Sequence, residues 1–172
     1  MKQIISLFAV AAISLSVMNV DAQDKSTRPS PPAKTTVTTT KGVIISIDYS
    51  QPSVKGRTIG KEIAPFGEVW RTGANEATVF EVNKDVIIDD KKLAAGKYGL
   101  YTIPGEKEWT IIFNKKSNLW GSNGYNKADD ALRFVAQPVK SKAFEEKMSF
   151  SINESGKVSL MWGDVQVDFT VQ

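Results

Sequence analysis

The stretch VIISIDY, residues 43 to 49, carries a regular strand pattern. Val43, Ile45, Ile47 and Tyr49 occupy alternate positions, and polar residues stand at two of the three positions between them. Because successive side chains of a β-strand point to opposite faces, this alternation puts four large side chains on one face. The stretch therefore predicts a strand that covers a buried core.

Similar strand patterns continue along the chain beyond residue 34. They lie at 35–40, 77–83, 85–89, 97–103, 108–115, 131–137, 144–152, 156–162 and 165–171. Phe144, Met148, Phe150 and Ile152 share one parity, so we expect all four side chains to face inward. Turn-forming residues separate the strands at 89–92, 104–107, 153–156 and 163–164. Roughly ten strands with little helix predict an all-β protein, an antiparallel β-sandwich or a jelly-roll-like barrel.

The N-terminal region has the features of a signal peptide. Lys2 precedes an apolar run from residue 4 to residue 17, and small residues up to Ala22 offer a cleavage point. We therefore expect residues 1–22 to be removed during export to the periplasm, the cell surface or the medium. Residues 23–34 are rich in proline and predict an extended leader, and residues 35–172 predict a single β domain.

The charged residues argue against two classes of partner. The chain has 22 Lys and Arg against 19 Asp and Glu, and the two signs are interspersed without a long run of either. Nucleic acids and anionic membranes are bound by concentrated basic patches, so we expect neither partner. No stretch after the signal peptide is long and apolar enough for a membrane span, so we predict a protein that does not cross the membrane.

The absence of two residue types narrows the possible chemistry. The chain has no cysteine and no histidine. This excludes disulfides, thiolate nucleophiles, Ser-His pairs and the usual ligands of catalytic zinc. The loop acids at 89–90 and 129–130 lack the alternating oxygen ligands of a calcium loop, so we expect no metal and no cofactor. Catalysis by carboxylates remains open, and Glu62, Glu68 and Glu76 are the candidates for a pair of the kind that glycosidases use.

The stretch WRTGANEAT, residues 70 to 78, predicts a compact polar corner between strands. We expect Gly73 to adopt a positive φ, which other residues resist. Backbone groups trapped in such a corner need partners, which polar side chains can supply. We interpret Arg71 and Glu76 as an ion pair that braces the corner, with Asn75 bonded to nearby backbone and Arg57 close to the pair. The alternative is a binding site in which Arg71 and Arg57 face an anionic or carbonyl-bearing ligand.

Aromatic residues supply the other candidates for ligand contact. Trp109 and Trp162 lie in strand patterns and are expected in the core, whereas Trp120 and Tyr125 lie in a Gly- and Asn-rich loop and are expected to be exposed. Two long segments, 50–76 and 115–130, interrupt the strands, and a pocket lined by both would be a composite site. The full set of candidate ligand-binding residues is Arg57, Trp70, Arg71, Asn75, Glu76, Tyr101, Trp120 and Tyr125.

Four motifs in order along the chain carry a family resemblance. They are SPPAKTTVT at 30–38, IDYSQPSVKGRTI at 47–59, FGEVWRTGANEAT at 66–78 and AGKYGLYTIPGEKEWTIIFNK at 95–115. Together they resemble an uncharacterised family of exported bacterial proteins, domain of unknown function 2911. The resemblance implies export and a shared β fold, and it brings no catalytic residue to this chain.

These observations lead to one main functional hypothesis and two alternatives. The main hypothesis is an exported, non-catalytic β-sandwich module that binds a small ligand, a glycan or an envelope protein. One alternative is a hydrolase that acts on carbohydrate with carboxylates, without histidine or cysteine. The other alternative is a structural protein of the cell envelope.

Overall fold

A computed structural model describes residues 25–172 and contains ten strands. The predicted signal peptide, residues 1–22, lies outside the described residues. The helical elements of the described part are two short 3-10 turns, Lys25–Thr27 and Lys127–Asp129, and none is long and apolar enough to span a bilayer. The strands are β1 (Pro32–Thr38), β2 (Ile44–Ser50), β3 (Thr78–Val82), β4 (Val86–Ile88), β5 (Lys91–Leu93), β6 (Gly96–Ile103), β7 (Trp109–Asn114), β8 (Asp130–Ala136), β9 (Pro138–Ile152) and β10 (Lys157–Thr170).

The strands form antiparallel sheets, as the alternation of apolar residues predicts. The main sheet has six strands in the order β1-β2-β3-β6-β7-β8, and every neighbouring pair is antiparallel. The long strands β9 and β10 form a second sheet, and β4 and β5 form a small third one. The predicted all-β, antiparallel fold class is confirmed.

Side chains from both larger sheets share one hydrophobic core. Ile45 and Ile47 of β2 are fully buried, which confirms the strand pattern of residues 43 to 49. Phe113 on β7 packs its ring against Phe80 on β3 and against Phe169 on β10, with centroid distances of 4.7 and 5.9 Å. Such edge-to-face ring contacts add to the gain from burying apolar area and so hold the two layers together.

The inward direction predicted for Phe144 is wrong, because 57% of this residue is exposed. Met148, Phe150 and Ile152 are buried as expected, but the pairing with β10 then becomes irregular. Ser149 pairs with Met161 and Glu145 pairs with Gly163, so β9 contains extra residues between these two pairs. A bulge of this kind breaks the regular alternation of faces.

Two predicted turns also differ from the structure. The turn predicted at 89–92 is shorter, because Asp89 and Asp90 turn the chain with φ values of 51° and 57° and Lys91 already starts β5. Positive φ at both central residues is what a two-residue hairpin turn requires. The turn predicted at 163–164 lies inside β10, where Gly163 has a φ of 58° at the irregular pairing.

Candidate functional site

The corner at residues 70 to 78 is fixed by backbone bonds to strand β6. Trp70 and Thr102 exchange two backbone hydrogen bonds of 2.7 and 2.9 Å. The left-handed residues of the corner are Thr72 and Asn75, at φ values of 53° and 58°, so the positive φ predicted for Gly73 is wrong. Gly73 is required for another reason, because a Cβ there would lie 2.8 Å from Thr78 Oγ1.

Buried threonines brace the inside of this corner. Thr72 is fully buried, and its hydroxyl group lies 3.2 Å from that of Thr102. Thr78 Oγ1 donates to the carbonyl oxygen of Thr72 at 2.7 Å. These bonds pair polar groups that would otherwise be costly to bury. The contribution of Thr102 was not predictable from the local sequence, because it lies in strand β6, 30 residues from Thr72.

The predicted ion pair between Arg71 and Glu76 does not form among the described residues. Glu76 instead accepts from Lys25 Nζ at 3.0 Å, and its two oxygens accept from Arg28 Nη1 at 3.1 and 3.0 Å. Burial by itself acts to raise the pKa of Glu76. Hydrogen bonds from the backbone, Lys25 and Arg28 have the larger combined effect, and the pKa is lowered to about 2. The predicted leader thus supplies the partners of Glu76, and Asn75 Nδ2 donates to the carbonyl oxygen of Ser30 at 3.1 Å.

Arg71 is a half-buried cation without a counter-charge in residues 25–172. Its Nε is buried and has no hydrogen-bond acceptor there. Burial alone lowers the pKa of this guanidinium group. Its Nη1 lies against Gly121, and a Cβ added to Gly121 would be only 3.3 Å from this Nη1. The second loop therefore contributes a small residue that leaves room for the Arg71 side chain.

Arg71 lines a surface cleft of about 380 Å³ that both long loops build. The first loop contributes Arg57, Glu68 and Trp70, and the second contributes Ser122. The predicted composite pocket, lined jointly by the two segments, is therefore present. Backbone bonds hold the loops together, since Ala77 N donates to Leu119 O at 3.0 Å and Gly121 N donates to Asn75 O at 3.1 Å.

Tryptophan rings form an apolar wall of the cleft. Trp70 stacks on Trp162 with a centroid distance of 5.2 Å and an interplanar angle of 14°. It also meets the edge of Trp109, and its Nε1 donates to the carbonyl oxygen of Gly73 at 3.1 Å. Trp109 and Trp162 are buried, as predicted, and Trp162 Nε1 has no acceptor within residues 25–172. The ring of Trp70 is therefore held in a fixed orientation.

Arg57 adds a second guanidinium group to the cleft. It is exposed, and its Nε and Nη2 donate to the carbonyl oxygens of Val54 and Ser53 at 3.1 and 2.8 Å. These two bonds fix the side chain without neutralising its charge. The structure therefore brings together Arg57, Trp70 and Arg71, but it pairs neither arginine with Glu76.

Five of the eight candidate residues do not line the cleft: Asn75, Glu76, Tyr101, Trp120 and Tyr125. Tyr101 is fully buried, packs against Tyr125 at a centroid distance of 5.1 Å, and has its pKa raised by burial. The exposure predicted for Tyr125 is wrong, because this residue is half-buried and its hydroxyl group donates to Asp130 Oδ2 at 2.9 Å. Burial, followed by Asp130, raises the pKa of Tyr125 to about 12. Trp120 is 60% exposed, as predicted, and its backbone bridges to Glu76.

The candidate carboxylates are not arranged as a catalytic pair around the cleft. Glu68 lines it, whereas Glu62 accepts from the backbone N–H of Thr58 at 2.7 Å and Glu76 is bound by Lys25 and Arg28. Within the described part of the chain, no group of three or more acidic side chains is placed to hold a metal ion. Two arginines, one glutamate and tryptophan rings therefore line the cleft, so its positive groups outnumber its negative one.

Comparison with known proteins identifies the family. A family model described as a protein of unknown function, DUF2911, matches residues 30–171, which is nearly the whole chain. Searches of curated proteins and of solved structures found no match. The match confirms the resemblance carried by the four sequence motifs, and the chain belongs to the DUF2911 family.

Proposed function

We propose that this protein is a binding module for a small ligand that carries a carboxylate or similar anionic group. The ligand lies in the cleft, with its anionic group on Arg71. The observation that carries the proposal is the half-buried Arg71 guanidinium group, which lines the cleft and finds no counter-charge in residues 25–172.

Electrostatics favour an anionic ligand at this position. A charge that loses part of its hydration is unfavourable unless a partner compensates for it. The planar guanidinium group donates in a geometry that suits a carboxylate, and a hydrogen bond between charged groups is stronger than one between neutral groups. Arg57 adds a second positive charge on the same surface. An anion in the cleft therefore supplies hydrogen bonds in place of those that the guanidinium group of Arg71 loses with water when it is buried.

The remaining walls favour a ligand with an apolar or ring-shaped body. Ile63, Pro65 and Trp70 line the cleft with apolar groups, whereas Ser30 and Ser122 add hydroxyl groups. Ligand sites in proteins combine apolar walls with a few polar groups in this way, and volumes of roughly 300 to 1,000 Å³ are typical. The cleft is at the small end, so we infer a ligand of one ring or a similar size.

Binding is favoured here over carbohydrate hydrolysis. A glycosidase needs a carboxylic acid whose pKa is raised, so that it can protonate the leaving group. The pKa of Glu76 is instead lowered to about 2, and of the three candidate acids only Glu68 lines the cleft.

We infer that the protein acts outside the cytoplasm, on the basis of the signal peptide predicted at residues 1–22. N-terminal sequencing of the protein isolated from its native cells tests this inference. A mature chain that begins near Gln23 would support export. An intact N-terminus on all of the protein would contradict it.

Matched pairs of small molecules test the proposed ligand. Glucuronate has a carboxylate in place of the hydroxymethyl group of glucose, and benzoate has one in place of a hydrogen of benzene. Calorimetry measures the binding of each. We expect each carboxylate to bind at least about tenfold more tightly than its neutral counterpart, because one charged hydrogen bond is worth roughly 1.5 kcal/mol or more.

Two variants attribute the binding to Arg71. Arg71→Gln is expected to remove the preference for the carboxylates. Lys61→Gln removes an exposed positive charge from the same loop outside the cleft, and it should bind like the unmodified protein. Equal binding of glucuronate by Arg71→Gln and by the unmodified protein would contradict the proposal.

A further inference from the structure

We propose that residues 25–31 form an N-terminal latch beside the cleft, and that Arg28 and Glu76 are positioning residues that keep this latch closed. The inference rests on the proposed function, because it concerns access to the same cleft. It gives the predicted leader a role beyond that of a spacer.

Contacts along the latch place it at the edge of the cleft. Ser30 lines the cleft, and its carbonyl oxygen accepts from Asn75 Nδ2 at 3.1 Å. The next residue, Pro31, accepts from the backbone N–H of Gln51 at 2.9 Å and leads directly into β1. The C-terminal end of the latch is therefore attached to the sheet, and its Ser30 forms part of the cleft wall.

Glu76 holds the other end of the latch. Its carboxylate binds Lys25 and Arg28 at 3.0 Å, although these residues are 51 and 48 positions away in the sequence. The Arg28 side chain is only 20% exposed, so its bond to Glu76 is better shielded from water than that of Lys25. A shielded ion pair resists screening by salt more than an exposed one.

The corner transmits the state of the latch to the cleft. Arg71, Asn75 and Glu76 lie within six residues, so one short segment contacts both the ligand position and the latch. Lys25 and Glu76 also line a second cleft of about 240 Å³. We infer that loss of the Glu76 contacts displaces Ser30, opens the cleft and weakens ligand binding.

Acrylamide quenching of tryptophan fluorescence tests the latch without any ligand. Trp120→Phe removes the strongly exposed tryptophan, and Trp109 and Trp162 are 2% and 3% exposed. The remaining accessible ring is Trp70, in the cleft wall. In the Trp120→Phe protein, Glu76→Gln is expected to raise the acrylamide quenching constant, because an open cleft exposes Trp70. Glu81→Gln, which removes an exposed partner of Lys97, should leave it unchanged.

Binding of glucuronate provides the second measurement. Glu76→Gln is expected to weaken it by about fivefold, as the loss of a partly exposed ion pair implies. If Glu76→Gln fails to fold, Arg28→Gln replaces it in both assays. Unchanged quenching, or unchanged affinity in a variant that folds, would overturn the latch. Failure of the unmodified protein to bind glucuronate would count against the proposed function instead, because the quenching assay does not depend on it.

Discussion

Arg71 and Arg133 lie in different regions of one protein and have opposite surroundings. Arg133 donates to Asp130 Oδ2 through Nε and Nη2 at 3.1 and 2.9 Å, and its Nη2 also donates to the Tyr125 hydroxyl group at 2.6 Å. Arg71 has no such partner in residues 25–172. Paired charges are typical of a brace, whereas the unpaired Arg71 beside a cleft is the observation on which the proposed anionic ligand rests.

The largest effect should come from the paired region. Asp130→Asn removes the charge that Arg133 needs, and it disturbs the bonds that Tyr125 and Asn114 make with the same carboxylate. We expect the free energy of unfolding to fall by roughly 2 to 3 kcal/mol. This is less than for a fully buried pair, because the Arg133 side chain is 29% exposed. For a domain of this size, thermal unfolding should show a melting temperature lower by about 5 to 10 °C.

Asp129→Asn provides the control for this change. Asp129 is the neighbouring acid and has no salt bridge within the described part of the chain. Its substitution should leave the melting temperature within about 1 °C. Equal effects of the two substitutions would show that the network around Arg133 is not a brace.

An intermediate effect is expected at Glu76, and it depends on pH. The pKa of Glu76 in the folded protein, about 2, is below its ordinary value. The stabilisation of the fold by the ionised Glu76 carboxylate is therefore complete above about pH 5 and is lost as the pH falls toward 2. Since the Glu76 side chain is 40% exposed, we expect Glu76→Gln to lower the free energy of unfolding by about 1 kcal/mol at pH 6.

Melting curves at two pH values measure this contribution. The melting temperature of Glu76→Gln should be about 2 to 4 °C below that of the unmodified protein at pH 6. The two proteins should melt together near pH 2. A difference that stays constant between these pH values would mean that the carboxylate charge does not stabilise the corner.

The sequence predicts local features of this protein better than distant ones. Alternation at residues 43 to 49 depends only on adjacent positions, and the structure buries the residues it indicates. The outward turn of Phe144 comes from a bulge, which depends on the pairing with β10. Glu76 was assigned to the nearby Arg71, but its partners lie 48 and 51 residues away. Contacts of this kind depend on the path of the whole chain, which no local pattern contains.

The composite cleft was predictable for a different reason. The two long segments interrupt a chain of short strands, so they had to cross the ends or faces of the sheets. The sequence did not show that Ser122, and Ser30 of the predicted leader, line the same surface as Arg71. Nor did it show that Gly121 leaves space for the Arg71 guanidinium group. The location of the cleft was thus accessible from sequence, whereas its charge balance required the structure.

A smaller loss of stability than at Asp130 or Glu76 should come from Arg71, and it separates a site from a brace most directly. Arg71→Gln removes a half-buried charge that no group in residues 25–172 compensates. Removal of such a charge is neutral or stabilising, so the melting temperature should stay within about 2 °C or rise. Arg133→Gln is the matched change in the paired region, and it should lower the melting temperature more. If Arg71→Gln lowered the melting temperature as far as Arg133→Gln, Arg71 would be a structural residue, and the anionic ligand would lose its main support.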